Sequence, residues 1–272
     1  MITVSIVIYN NTLSEIEECV KHFVDCENIR RIVICDNYDS SKIDSAEVLA
    51  ISSKLIYVSN PCNTGYGAGH NLAISHLDIK SEFHVVMNLD VTAEQAVFTN
   101  ILDYMYSDKK VVHVMPKVLN SDGTVQRLCK MLPTPINLIG RRFIRNRGFA
   151  ENIDRKYTLD TYDYDKVLEC PYLSGCFMFL RRSAFEQVSG FDERFFMYPE
   201  DIDLTRRLHE VGKTVCYPFV SIVHEHGQAS YKSRRMLHIH IRGIVKYFNK
   251  WGWFFDRKRS VYNSRLEGIL KK

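Results

Sequence analysis

Short, almost continuously apolar runs alternate with stretches of helical spacing along the first third of the chain. Residues 3–9 (Thr-Val-Ser-Ile-Val-Ile-Tyr), 31–35, 54–59 and 83–87 are rich in β-branched residues. That is the pattern of parallel strands buried on both faces. Asn10-Asn11-Thr12 offers caps for a helix running to about Val24. The glycine-rich stretch from Asn63 to Asn71 leads into another helix. Four such alternations predict an α/β protein with an open, mostly parallel sheet flanked by helices. Each strand is followed by a polar residue: Asn10, Asp36, Asn63 and Asp90. In open α/β sheets, ligands bind at these carboxyl ends.

Further strands are predicted at 111–116, 173–180, 215–217 and 220–223, the last ending at His224-Glu225-His226-Gly227. Residues 118–165 show little periodicity and read as a loop-rich lid or acceptor loop. Their cluster Arg141, Arg142, Arg145 and Arg147 is either a solvated face or an anion contact. From Gly190 to Gly212 a loop carrying Phe191, Phe195 and Phe196 gives way to a helix. Pro199 suits its first turn, Gly212 suits its stop, and Glu200, Asp201 and Asp203 sit at its positive end. Helical spacing puts Asp201 on one inward face with Leu204, Leu208 and Val211. Asp203 and Arg207 have the spacing of a surface ion pair.

A chain of 272 residues fits one large domain, or one domain with an appendage. No apolar run reaches the roughly 18 residues of a membrane-spanning helix. The first residues lack a basic region and a cleavage site, so they are expected to be a strand and not a signal peptide. Eight scattered cysteines form no Cys-x-x-Cys, which argues against a zinc knuckle or thioredoxin motif and predicts reduced, buried thiols in a cytosolic setting. The net charge of +4 conceals an asymmetry: residues 231–272 carry 12 Lys or Arg against 2 acidic residues, +10, so the rest carries −6. This tail holds Trp251, Trp253, Phe254 and Phe255 beside Arg257, Lys258 and Arg259, and residues 238–253 have helical spacing. Basic residues with interfacial aromatics suit an anionic membrane surface. The alternative is a helix packed on the body with a solvated basic face. No nucleic-acid motif accompanies the charge, so no nucleic-acid partner is expected.

The motifs come in a definite order. Ser5-Ile-Val-Ile-Tyr9 is followed by Asp36-Asn37, Asn63-x-Gly-Tyr-Gly-x-Gly-x-Asn71 and Asn88-Leu-Asp90. Then come Ser174-Gly-Cys-Phe-Met, Gly190-Phe-Asp-Glu-Arg-Phe-Phe-Met-Tyr-x-Glu-Asp-x-Asp203 and His224-x-His. Over roughly residues 3–230 this resembles the family 2 inverting glycosyltransferases of the GT-A fold, in particular their rhamnosyltransferase-like branch. The glycine loop is no dinucleotide fingerprint: its spacing is Gly-x-Gly-x-Gly and it follows the third strand.

The resemblance implies a GT-A domain over 1–230, with a nucleotide-binding half to about 117 and an acceptor half after it, then a basic helical segment over 231–272. It implies Asp201 as the general base. Tyr9, Asn10, Asp36, Asn37, Asn63, Gly65, Asn71 and Asn88 would lie along the nucleotide-sugar donor. Asp90 and His224, with His226 as the runner-up, would hold Mg²⁺ or Mn²⁺. Gly175, Phe196, Tyr198, Glu200 and Asp203 would support the acceptor side. The helix terminus should depress the Asp201 pKa, while desolvation behind the aromatic loop should raise it.

The implied activity is transfer of a sugar, rhamnose from dTDP-rhamnose first among candidates, to a polyprenyl-linked or polysaccharide acceptor. The enzyme would sit on the cytoplasmic face of the cell membrane. UDP-hexose or UDP-galactofuranose donors, a metal-dependent nucleotidyltransferase and a non-catalytic carbohydrate-binding scaffold are the alternatives.

Overall fold

The computed structural model describes residues 1–77, 79–138, 147–225 and 234–271. The first half alternates as its apolar pattern predicts: β1 (Ile2–Ile8), α1 (Leu13–Val20), β2 (Ile29–Asp36), α2 (Ser45–Ile51), β3 (Leu55–Ser59), α3 (Tyr66–Ser75) and β4 (Phe83–Met87). Thr12 and Glu15 form a reciprocal capping box at the start of α1. That helix ends at Val20, short of Val24, and the chain continues as turns.

Then follow β5 (Val91–Thr92), α4 (Gln95–Ser107), β6 (Val111–Leu119), β7 (Cys129–Lys130), α5 (Pro135–Leu138) and α6 (Arg147–Tyr157). The span 118–165 thus holds more regular structure than its weak periodicity predicts. Arg141, Arg142 and Arg145 lie outside the described residues. The rest comprises β8 (Leu168–Glu169), β9 (Tyr172–Leu173), β10 (Phe177–Arg181), α7 (Arg182–Gln187), α8 (Glu200–Val211), β11 (Lys213–His224), α9 (Arg234–Trp251) and α10 (Arg257–Leu270). The expected strand over 173–180 is broken by a turn at Gly175-Cys176.

The main sheet runs β3-β2-β1-β4-β10-β6-β11-β5, with β8 also on β11. β1 pairs in parallel with β2 and β4, β2 with β3, and β6 with β11, whereas β10 is antiparallel to both its neighbours. Ile8 faces Asp36, Asp36 faces Ser59, and Phe177 faces Met87. The carboxyl ends of β1 to β4 therefore share one edge with the amino end of β10. Every residue of β4 is buried, and the main core joins Val4 and Ile6 of β1 to Phe98 of α4 and Phe177 of β10.

The C-terminal helices pack on this body. Ile244, Tyr247, Phe248 and Leu266 belong to the main core. Arg206 of α8 and Asp256 form a two-pronged ion pair, 2.6 and 2.7 Å, with side chains 1% and 3% exposed. The Arg206 guanidinium also lies 3.9 Å from the Trp251 ring centroid. The tail's cations find the body's acids: Lys250 reaches Asp192 and Asp203, Lys258 reaches Glu210, and Arg265 reaches Glu169. Among the described residues, three of the tail's twelve cations are thus answered by acids of the body. Trp251 and Trp253 pack against the core, while Phe254 and Phe255 stand 80% and 96% exposed. Among the described residues no helix is long and apolar enough to cross a membrane.

Candidate active site

At the end of β2, Asp36 is 1% exposed. Its carboxylate accepts from the Tyr38 N–H at 3.0 Å and the Tyr57 hydroxyl at 2.7 Å. Beside it the Asn37 amide donates to the Gly65 carbonyl at 2.9 Å and accepts from Asn60 at 2.8 Å. Tyr9, half exposed, meets the Tyr38 ring edge-on at 5.1 Å, and Asn10 next to it takes the left-handed backbone, φ 58°. Asn63 accepts from the Gly65 N–H at 3.0 Å. Gly65 has φ +93°, and a Cβ there would stand 2.0 Å from the Phe196 carbonyl oxygen, so the close approach of the two loops requires glycine. Tyr66 seals it by donating its N–H to Phe196 O at 2.9 Å. Asn71 is committed elsewhere: its amide donates to Phe191 O and Glu193 and accepts from Phe191 N–H. It clamps the aromatic loop to α3.

A second group forms where β4 and β11 end. The Nε2 of His224 lies 3.4 Å from Asp90 Oδ1 and 3.5 Å from Asn88 Nδ2. Asn88 is therefore turned toward Asp90 and His224, not away from them. Residues two apart along an extended chain share a face, and Asn88 and Asp90 are two apart. Gln126, which nothing in the sequence singled out, orients the histidine. Its NH₂ donates to the His224 carbonyl at 2.7 Å, which turns Oε1 to His224 Nδ1 at 3.1 Å. Nδ1 then carries a proton, and Nε2 is the ring nitrogen turned to the Asp90 side. An imidazole nitrogen and a hard carboxylate oxygen are donors of the kind that suit Mg²⁺ or Mn²⁺. A cavity of about 710 Å³ opens beside them, lined by Asn120, Gln126, Leu128, His224 and Glu225 among others. His226 lies outside the described residues.

The third group sits at the start of α8. Asp201 accepts from Gly175 N–H at 3.1 Å and from Ile202 N–H at 2.8 Å, and it keeps some exposure. Burial raises its pKa, outweighing those two hydrogen bonds. Of the two opposed influences on this carboxyl, desolvation wins. Glu200 beside it is 5% exposed, with Oε2 buried and unpartnered. Burial first, and the Asp201 charge second, push Glu200 up to about 8.

Asp203 proves to be fully buried. It holds Arg207 at 2.8 Å, Lys250 at 2.6 Å and the Trp251 indole N–H at 2.8 Å, so it anchors α9 instead of forming a surface pair. Val211 is 37% exposed, so the face shared by Leu204 and Leu208 does not extend to it. Tyr198 meets the His240 ring at 4.9 Å, and a Cβ on Gly243 of α9 would stand 2.0 Å from Tyr198 O.

The turn at Gly175-Cys176 joins the last two groups. Gly175 N–H holds Asp201, Cys176 O accepts from Asn88 N–H at 2.9 Å, and Gly175 O accepts from the Tyr66 hydroxyl at 2.8 Å. The Asp201 carboxylate and the Asp90–His224 pair are thus linked through two adjacent residues.

Sheet order and the placing of all three groups on its carboxyl edge define the GT-A fold class. Solved structures agree: a mannosyltransferase of Pyrobaculum calidifontis in complex with GDP-Man and Mn²⁺ superposes with a TM-score of 0.60 at 16% identity, covering 92% of this chain and 63% of that one. GalNAc-T7 with UDP, GalNAc and Mn²⁺ gives 0.61 at 11% identity, over 83% of this chain and 43% of that one. The family model described as glycosyltransferase like family 2 matches residues 2–241, and the chain belongs to that family. Within it the chain is similar to the rhamnosyltransferase WbbL of Escherichia coli, 34% identical over 88% of this chain and 87% of the relative. It is also 29% identical, over 60% of its length, to an N-acetylglucosaminyl-diphospho-decaprenol L-rhamnosyltransferase of Mycobacterium tuberculosis. That match spans only 56% of the mycobacterial protein.

Proposed function

We propose that this chain is an inverting glycosyltransferase that moves L-rhamnose from dTDP-rhamnose to a lipid-linked or polysaccharide acceptor in cell-surface glycan synthesis. The observation that carries this reading is the coupling of Asp201 to the Asp90–His224 edge through Gly175 and Cys176. Asp201 removes the proton from the acceptor hydroxyl, whose oxygen forms the new bond to the anomeric carbon as the bond to the diphosphate breaks on the opposite face. A raised pKa makes it a stronger base than an ordinary aspartate. Asp90 and His224 would hold Mg²⁺ or Mn²⁺, which supplies charge neutralisation for the departing nucleoside diphosphate.

Asp36, oriented by Tyr38 and Tyr57, binds the nucleoside, and Tyr9 offers the base an exposed ring. Asn10, Asn37, Asn63, Gly65 and Asn88 shape the donor side, with Asn71 holding the aromatic loop against it. Gly175, Phe196, Tyr198 and Glu200 frame the acceptor side, and α9, anchored on the buried Asp203, closes it. The relatives' printed names favour rhamnose as the sugar and, for the mycobacterial protein, a diphospho-decaprenol acceptor. Exposed Phe254 and Phe255 beside Arg257 and Lys258 support peripheral docking on an anionic membrane surface.

The test replaces Asp201 with Asn. Asp201→Asn should stay folded and keep its thermal stabilisation by dTDP with Mn²⁺. Its transfer should fall by about 10²–10⁴-fold. Retained transfer would refute Asp201 as the base, and no stabilisation of the wild type by any nucleotide would refute the donor assignment.

A further inference from the structure

A cavity of about 300 Å³ lies between the loop that carries Phe195 and helix α9, lined by Arg194, Phe195, Lys246, Asn249 and Lys250. Three of its five lining residues are cations. Arg194 is held by Asp192 at 2.6 Å, and Lys250 is shared by Asp192 and Asp203. Lys246 differs: its ammonium donates to the Arg194 carbonyl, and among the described residues no carboxylate stands within ion-pair distance of it. The Trp253 indole N–H donates to Asn249 Oδ1 at 2.8 Å, which leaves the Asn249 NH₂ as a further donor. Two carboxylates against three cations leave the site net positive.

The surroundings are apolar. Ile241 and Val245, 50% and 37% exposed, stand on the same side of α9 as Arg242 and Lys246, one turn apart. Phe254 and Phe255 stand exposed just past its end, next to Trp253, which is tied to Asn249 of the cavity. The loop on the other wall runs through Phe196 to Glu200 and Asp201. A ligand fitting this place carries a compact polyanion next to a long apolar group.

We propose that this cavity binds the diphosphate of a lipid-linked acceptor, with Lys246 as its principal cation, Arg194 and Lys250 in support, and the exposed Ile241, Val245, Phe254 and Phe255 against the lipid. This deepens the lipid-linked acceptor of the reading above and rests on it. The chemistry is that of a charge-assisted anion site: flexible ammonium groups and a guanidinium converge on phosphate oxygens with few competing carboxylates.

The experiment measures binding of the full chain, in EDTA and without donor, to phosphatidylcholine vesicles carrying a polyprenyl diphosphate. Control vesicles carry phosphatidylglycerol at equal total charge. The wild type should prefer the diphosphate vesicles. Lys246→Glu should weaken that binding about tenfold or more, while binding to phosphatidylglycerol changes far less. Lys246→Gln should lose an intermediate amount. Lys109→Glu, an equal charge reversal at an exposed residue after α4, should bind both vesicles as the wild type does.

Equal losses on both vesicle types would overturn the diphosphate site in favour of general attraction to anionic headgroups. Equal behaviour of Lys246→Glu and Lys109→Glu would overturn it outright. No step of this assay requires sugar transfer, so its failure stays separate from failure of Asp201 as the base.

Discussion

Glu200 offers a sharp test, because its ionisation acts against folding. Its carboxyl is 5% exposed, one oxygen has no partner, and the neighbouring Asp201 carries like charge. Its pKa stands at about 8 against an ordinary 4.5. The native protein then binds more protons than the unfolded chain between those values, so stability falls as pH rises from about 4.5 toward 8. At ~1.4 kcal/mol per unit, the shift bounds the cost of ionising this site at on the order of 4–5 kcal/mol above pH 8. Part of that belongs to the repulsion between the two carboxylates and is shared with Asp201.

Glu200→Gln keeps the volume and removes the charge. Urea unfolding at pH 5 should find it within about 1 kcal/mol of the wild type, and at pH 9 more stable by on the order of 2–4 kcal/mol. The gap between the two profiles should open as pH rises, while the buried His70, His84 and His113, whose pKa values burial lowers, tilt both profiles alike. Parallel pH profiles for the two proteins would refute the claim that Glu200 is neutral at pH 7 in the folded state.

Two further outcomes follow from contacts already described. Gln126→Leu removes the partner that fixes the His224 tautomer, and should weaken Mn²⁺ affinity about 10–100-fold with nucleotide present, read by titration calorimetry. An unchanged affinity would leave His224 without a metal role. Arg206→Met strands the Asp256 carboxylate in a buried site and should cost about 3–5 kcal/mol in urea unfolding, most of it recovered in Arg206→Met/Asp256→Leu. A cost below about 1 kcal/mol would mean that the pair is solvated.

The apolar runs made the first four strands legible, and with them the edge where Asp36 and Asp90 lie. The reversed direction of β10 was not legible, because a strand buried on both faces reads the same in either orientation. Asp201 stood out through its helix start and its motif. Gln126 did not, since its partner His224 is 98 residues away and a lone glutamine in a loop carries no pattern. Asp203 and Arg207 have the spacing of a surface pair, and only the arrival of Lys250 and Trp251 buries the carboxylate. The basic tail advertised a membrane, yet a share of its charge answers acids on the body that no local reading could match to it.

The seat of Gly243 against the Tyr198 carbonyl has an evolutionary consequence. Helix α9 and the loop before Glu200 meet with no room for even a methyl group. Neither surface can drift alone: a bulkier residue on the helix demands a retreat of the loop, and a reshaped loop opens a gap under the helix. Acceptor preference and the C-terminal helix should therefore be inherited as one block. A chimaera exchanging tails between relatives should work only when residues 192–199 travel with the helix.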